Sequence, residues 1–177
     1  MRFPRTIRLD ASDEHVFERA AAPEEWAVSG AFAFADTAPE ALRGKSAQAF
    51  ARGFLGTRSF GWSTLVAVAE IKPFELEAVI AALAHHFVDR YGAPSIAAAR
   101  PAAEAEAAFA GSLCEHKINT LIAVERSFGP DGIVERFRTI EPLKSGSHAR
   151  IWSIVADLEN DGDGEGDRDQ APGGPGA

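Results

Sequence analysis

Cys114 and His116, separated by one residue, form the first place where this sequence could do chemistry. A thiolate beside an imidazole can act as a nucleophile, and both side chains are common metal ligands. A zinc site needs three or four ligands, however, and no CxxC or HxxxH motif supplies the others. A buried thiol near a surface histidine is therefore the simpler interpretation, and a functional site is the alternative.

The adjacent histidines His85 and His86 lie in a segment with helical periodicity. Neighbouring residues on a helix point about 100° apart, so the two imidazoles cannot bind one metal ion from the same face. They straddle the border of the apolar face, which favours a structural role. Cys114 or His116 could still approach them from another element, and this is the only transition-metal site that the sequence can assemble. We otherwise predict no cofactor.

Residues 157–162 resemble the first half of a calcium-binding EF-hand loop. Such a loop needs a glutamate at position 12, where this chain has Arg168, and the glycine- and proline-rich residues that follow cannot form the exit helix. The glycines of residues 53–61 match no phosphate-binding motif. These segments predict a solvated acidic tail and an ordinary loop.

Two groups of charged residues give weaker signals. Glu104 and Glu106 are most simply part of a solvated helix face. Four arginines could line adjacent edges of a sheet as an anion site, and they are Arg5, Arg8, Arg136 and Arg138.

Hydrophobic periodicity predicts the elements that must position these residues. Strands are predicted at residues 2–9, 25–35, 62–71, 118–127, 133–140 and 150–156. Helices are predicted at residues 14–22, 39–54, 73–91 and 95–114. Residues 133–140 also fit helical spacing, but the short GPDG turn before them favours a hairpin. In the last helix, Pro101 predicts a break, and Phe109 and Leu113 are the expected bulky core residues.

The predicted fold class is α+β. Consecutive strands at the end of the body and helices grouped in the middle indicate a mostly antiparallel sheet of about five to six strands, with two to three helices packed on one face. Residues 62–71 read as an inner strand that is covered on both sides. Residues 1–157 are predicted to form a single domain, and residues 158–177 a disordered acidic tail rich in Gly, Asp and Pro.

The charge of the chain is concentrated in that tail. The formal net charge is −8, and residues 159–177 contribute about −5 through six acidic residues and one arginine. The body has scattered basic residues, so nucleic acid is not an expected partner. No secretory signal and no apolar stretch long enough for a bilayer is visible, and there is a single cysteine. We therefore expect a cytoplasmic protein without membrane contact.

Several strings of this sequence resemble a small bacterial family of unknown function, DUF6505. They are FERAA-PEEWAVSGAFAFAD, GFLGTRSFG, AHHFVDRYGAPS and LCEHKINTL–VERSFG–GIVERFRTIEP. The resemblance covers about residues 3–142 and implies no catalytic residue or cofactor. It favours a modest accessory role.

The sequence thus predicts a non-catalytic accessory or interaction domain that binds a protein partner or a second copy of itself. One alternative is a metal- or cofactor-handling accessory protein that uses Cys114 and His116 with His85 or His86. Another is a small enzyme whose acid–base pocket is formed by residues distant in sequence.

Overall fold

The computed structural model describes residues 1–142 and 152–155, and the side chains of residues 1–141. The predicted tail at residues 158–177 and the segment that resembles a calcium loop lie outside the described residues.

Eight strands and four α-helices make up the described fold. The strands are β1 (Arg2–Ile7), β2 (Ala27–Val28), β3 (Phe54–Gly56), β4 (Trp62–Ser63), β5 (Leu65–Glu70), β6 (Leu121–Gly129), β7 (Gly132–Pro142) and β8 (Trp152–Val155). The helices are α1 (Ser12–Val16), α2 (Gly44–Arg52), α3 (Pro73–Tyr91) and α4 (Ile96–Ser112). This composition confirms the predicted α+β class.

The strands form two antiparallel sheets. The larger sheet has the order β1-β5-β6-β7-β8, and the smaller has the order β2-β3-β4. Backbone hydrogen bonds from Thr6 to Glu25 and from Glu24 to Thr6 join the free edge of β1 to the segment that enters β2. The two sheets therefore adjoin at β1.

The small sheet is packed on both faces. Ala27 and Phe54 face a core cluster with the large-sheet residues Val66 and Ile122. The alternate residues Val28 and Leu55 face a second cluster with Phe3 and the inner faces of α3 and α4. Since successive strand residues point to opposite faces, the small sheet lies between the large sheet and the helices.

The hairpin and the long helix were predicted correctly. Residues 133–140 are extended and pair with β6, and Gly129 and Gly132 close the turn. Helix α3 begins at Pro73 and ends at Tyr91, and the next residue, Gly92, has a left-handed backbone with φ 72°. Glycine adopts this conformation readily, and it commonly closes helices.

The strand predicted at residues 25–35 is mostly wrong. Only Ala27–Val28 form a strand, with an isolated bridge from Trp26 to Arg5 before it. After Val28 the chain leaves the sheet, because Gly30 adopts φ 81° and leads into a 3-10 turn at Ala31–Phe34. A Cβ atom at Gly30 would lie 2.7 Å from the Cβ of Leu55. This close approach also requires glycine.

The single strand predicted at residues 62–71 is two strands, β4 and β5, in different sheets. The chain changes sheet at Thr64, whose backbone N–H and hydroxyl both donate to the carboxylate of Asp13 (3.2 and 2.6 Å). As predicted, β5 is an inner strand of its sheet.

Two helix predictions also need correction at their ends. Residues 39–41 form a 3-10 turn, and α2 starts only at Gly44. The predicted helix at residues 14–22 is the single turn Ser12–Val16.

Helix α4 continues through Pro101, so the predicted break is wrong. Its buried face consists of alanines, namely Ala99, Ala103, Ala107 and Ala110, and they share a core cluster with α3. Phe109 is 40% exposed and does not anchor the helix as expected. Within the described part of the chain, no helix has the length and apolar character needed to cross a bilayer.

Candidate functional site

An open cavity of about 1140 Å³ runs along α3, and we call it the α3 groove. One wall is a face of the helix on which Phe74, Ala78, Ala82, His86 and Arg90 follow one another at a spacing of four residues. Sixteen residues separate the first from the last, so the groove is about 24 Å long at about 1.5 Å per residue.

The opposite wall comes from the small sheet, the residue that precedes β2 and the loop at residues 57–61. It contains the rings of Trp26, Phe60 and Trp62 and the side chain of Arg58. Large aromatic surfaces therefore line both sides of the groove.

A ring stack joins the two walls. Phe60 lies flat on His86, with ring centroids 3.7 Å apart and an interplanar angle of 4°. Tyr91 meets His86 edge-on at 5.4 Å. Burial, reinforced by the charge of Arg90, lowers the pKa of His86. Its imidazole is therefore mainly neutral at pH 7.

Glu25 fixes the loop wall from beneath. Its buried carboxylate accepts hydrogen bonds from the backbone N–H groups of Ala22 (2.8 Å), Arg58 (3.0 Å) and Ser59 (2.8 Å). Burial alone would raise the pKa of Glu25, but these hydrogen bonds together hold it below its ordinary value. Glu25 is thus an ionised anchor of the loop.

The glycines of the loop allow close contact between the loop and the residues beneath it. A Cβ atom at Gly56 would lie 2.6 Å from the carboxylate of Glu25, and one at Gly61 would lie 2.5 Å from the carbonyl oxygen of Ala20. The glycine spacing that the sequence shows is therefore explained by close packing of the chain on itself.

Most carboxylates of the groove are engaged in internal contacts. Besides Glu25, Glu24 lies 3.8 Å from Arg5, and Glu75 accepts from the backbone N–H of Lys72 (2.9 Å) at the start of α3. Asp89 is the remaining carboxylate among the described lining residues.

The guanidinium groups of the groove are not neutralised by ion pairs within the part of the chain that the structure describes. Arg58 and Arg90 are exposed, and neither forms an ion pair with any residue that the structure describes. Arg19 donates to the carbonyl oxygen of Ser59 (3.2 Å), which does not neutralise its charge.

The residues that the sequence offered as metal ligands are dispersed. Cys114 is buried in the cluster between the sheets, and burial raises the pKa of its thiol to about 12. The backbone carbonyl of His116 accepts from Arg2 at the surface, His85 is exposed, and His86 lies in the ring stack. Among the described residues, no group of three or more His, Cys, Asp and Glu side chains could hold a metal ion.

The predicted arginine site does not form. β1 and β7 are separated by β5 and β6, so Arg5 and Arg8 do not share an edge with Arg136 and Arg138. Internal carboxylates also bind three of them, through the pairs Arg5–Glu24, Arg8–Glu14 and Arg138–Glu125.

Sequence reasoning missed a buried ionic cluster around Arg126. The Nε atom of its fully buried side chain donates to Glu135 (2.6 Å). The terminal nitrogens donate to the carbonyl oxygens of Phe50 (3.0 Å) and Gly53 (2.7 Å), and to the carbonyl and hydroxyl oxygens of Ser29. All five donors of the guanidinium are used, which marks Arg126 as a structural residue and not as a ligand-binding one.

Glu106 borders this cluster and is half-buried, which corrects its assignment to a solvated helix face. Burial and the charge of Glu135 raise the pKa of Glu106, against the opposing effect of Arg126. A signal for the cluster did exist, since Ile122, Val124 and Arg126 alternate on the inner face of one strand.

The structure thus defines an α+β fold with a long aromatic groove beside α3. The chain belongs to a family of unknown function, DUF6505, whose model matches residues 1–156. No curated protein and no solved structure matches the chain.

Proposed function

We propose that the protein is a non-catalytic interaction domain whose α3 groove binds a segment of a partner protein. The observation that carries this proposal is the exposure of aromatic side chains along an elongated groove. Phe74 at one end is 69% exposed and Tyr91 at the other is 45% exposed. Large exposed aromatic side chains along a groove are typical of surfaces that another molecule covers.

The dimensions of the groove support a protein segment as the occupant. Ligand pockets usually enclose roughly 300 to 1000 Å³, and the α3 groove, with about 1140 Å³, lies above that range. A length of about 24 Å matches roughly seven residues of an extended strand or sixteen of a helix.

The composition of the groove supports the same conclusion. The few residues that dominate the binding energy of protein interfaces are enriched in tyrosine, tryptophan and arginine, and the groove contains Trp26, Trp62, Tyr91 and several arginines. The small side chains of Ala78 and Ala82 leave room for the backbone of a bound segment between the aromatic ends.

The arrangement favours binding over acid–base catalysis. Three of the four carboxylates in the groove are held by internal hydrogen bonds or an ion pair, and the His86 ring is held face to face by Phe60. The buried, protonated thiol of Cys114 lies in a different cluster. It supports neither a nucleophile nor a metal ligand.

The test compares the full-length protein with a variant in which Ala82→Trp fills the groove. Each is immobilised, retained proteins are identified from a cell extract, and the purified candidate is titrated by calorimetry. The control is Ala105→Trp, an equal change at an exposed site of α4. A second variant, Phe74→Ala, removes an exposed ring without filling the groove, so it is expected to preserve the fold.

We expect the partner to bind the wild type and the Ala105→Trp variant alike, and to bind both groove variants at least tenfold more weakly. A partner that binds all four proteins equally would show that the groove is not its site. Native mass spectrometry of the purified protein shows whether it forms a dimer. If the wild type is a dimer and the Ala82→Trp variant is a monomer, the occupant of the groove is a second copy of the chain and not a partner protein.

A further inference from the structure

Three arginines gather at the end of the α3 groove where the ring stack lies. Arg58 belongs to the same loop as Phe60, and Arg19 is tied to that loop through the carbonyl oxygen of Ser59. Arg90 follows His86 by one helical turn. The stack of Phe60 on His86 therefore brings arginines from three separate elements to one end of the groove.

This end of the groove has a local excess of positive charge. Asp89 directly precedes Arg90 in the sequence. The other groove carboxylates form an ion pair with Arg5 or accept hydrogen bonds from backbone N–H groups. Backbone N–H groups do not cancel the charge of Glu25, so the three guanidinium groups share this end with two carboxylates, those of Asp89 and the buried Glu25. The excess at this end is therefore one positive charge.

The arginines adjoin an apolar surface suited to a ring or branched side chain. Phe60, His86 and Tyr91 present ring faces and edges there, and aromatic pairs prefer offset or edge-on contacts. Guanidinium groups bind carboxylates through paired hydrogen bonds, and a neighbouring apolar surface strengthens them by excluding water.

We infer that the partner segment carries Asp or Glu residues directly beside an aromatic or branched apolar residue. The acidic side chains contact Arg58, Arg90 and Arg19, and the apolar side chain packs on the Phe60–His86 stack. This inference rests on the proposed function, because it names the chemistry of the segment that the groove binds.

The experiment uses the full-length protein and two fluorescein-labelled probe peptides of about eight residues, which span the groove in extended form. Both contain a central Phe-Leu pair, flanked by Asp and Glu in the acidic probe and by Lys in the basic probe. Fluorescence anisotropy measures their dissociation constants at low salt and at about 0.5 M NaCl, where exposed charges are screened. The test variant is Arg58→Glu/Arg90→Glu. The control is Arg52→Glu/Arg136→Glu, which makes the same charge change at exposed sites outside the groove.

We expect the acidic probe to bind the wild type at least tenfold more tightly than the basic probe, and to weaken at high salt. The groove variant should lose this preference and the control should keep it. Equal binding of the two probes, a preference for the basic probe, no binding of either, or an unchanged preference in the groove variant would overturn the inference. If a partner still depends on Ala82 and Phe74 in that case, the proposed function stands and only the chemistry of the segment is wrong.

Discussion

Arg126 shows how a single residue holds distant parts of this chain together. Its guanidinium contacts Ser29 after β2, the carbonyls of Phe50 and Gly53 around the end of α2, and Glu135 on β7. Burying such a charge is costly, and the cost is offset only because every donor has a partner. The cluster therefore stabilises one specific arrangement of β6 against α2 and the small sheet.

Replacing this residue by Arg126→Met is expected to lower the free energy of unfolding by about 3 to 5 kcal/mol, because Glu135 loses its ion-pair partner and the buried carbonyls lose their donors. Urea unfolding followed by circular dichroism measures the change. The control is Arg136→Met, at an exposed position next to Glu135 on the opposite face of the sheet. A surface change of this kind should alter stability by about 0.5 kcal/mol or less. Similar losses in the two variants would contradict a structural role for the cluster.

The residues with reactive or metal-binding side chains were a poor guide to the position of the groove. Cys114 and His116 attract attention because their side chains can react, but the simpler interpretation, a buried thiol, is the one that the structure confirms. His86 does lie in the groove, although its partner Phe60 is 26 positions away in the chain and could not be paired with it from periodicity. Contacts across such distances depend on how the elements pack.

Helix α4 illustrates what an alanine-rich face does. Its buried alanines recur at intervals of four and three residues, and their small side chains allow the helix to lie close to α3. The sequence predicted the helix itself. It did not predict which face is buried, since the bulky Phe109 suggested the wrong one.

The variant Ala103→Leu tests this packing. Ala103 is fully buried. Three added carbon atoms should therefore cost about 1 to 3 kcal/mol of stability through overpacking. Thermal unfolding measures the effect, with Ala102→Leu at the adjacent exposed position as the control. If both variants melted at the temperature of the wild type, the helix would not be packed as closely as described.

Elements bounded by local signals were predicted well, and elements bounded by tertiary contacts were not. The β6–β7 hairpin has its own turn sequence, and α3 carries Pro73 and Gly92 at its ends, which are signals that a sequence displays directly. By contrast, the division of residues 62–71 depends on Asp13, some fifty positions away in the chain. The α3 groove belongs to the second kind, since its two walls come from separate parts of the sequence.

At the scale of the whole molecule, charge is unevenly distributed. The last nineteen residues hold six of the acidic groups and no aromatic or branched aliphatic side chain, whereas the three arginines of the α3 groove are concentrated at one end. A segment of such composition has no apolar surface with which to stabilise a fold.

A protein truncated after Leu158 is therefore expected to melt within about 1 °C of the full-length chain, because the removed residues include no aromatic or branched aliphatic side chain that could be buried. Differential scanning calorimetry of the two proteins in the same buffer makes the comparison. A decrease of many degrees would mean that the acidic segment packs on the body, and that the domain boundary predicted near residue 157 is misplaced.

The anchoring of the loop at residues 57–61 has a consequence for the thermodynamics of association. The loop is held by the Glu25 carboxylate from below and by the Phe60–His86 stack from the side, so this wall of the groove is in place before any partner arrives. A ligand that binds such a preorganised wall does not have to order it, and more of the contact energy is retained as affinity. The conformational entropy lost on binding would then fall mainly on the incoming segment.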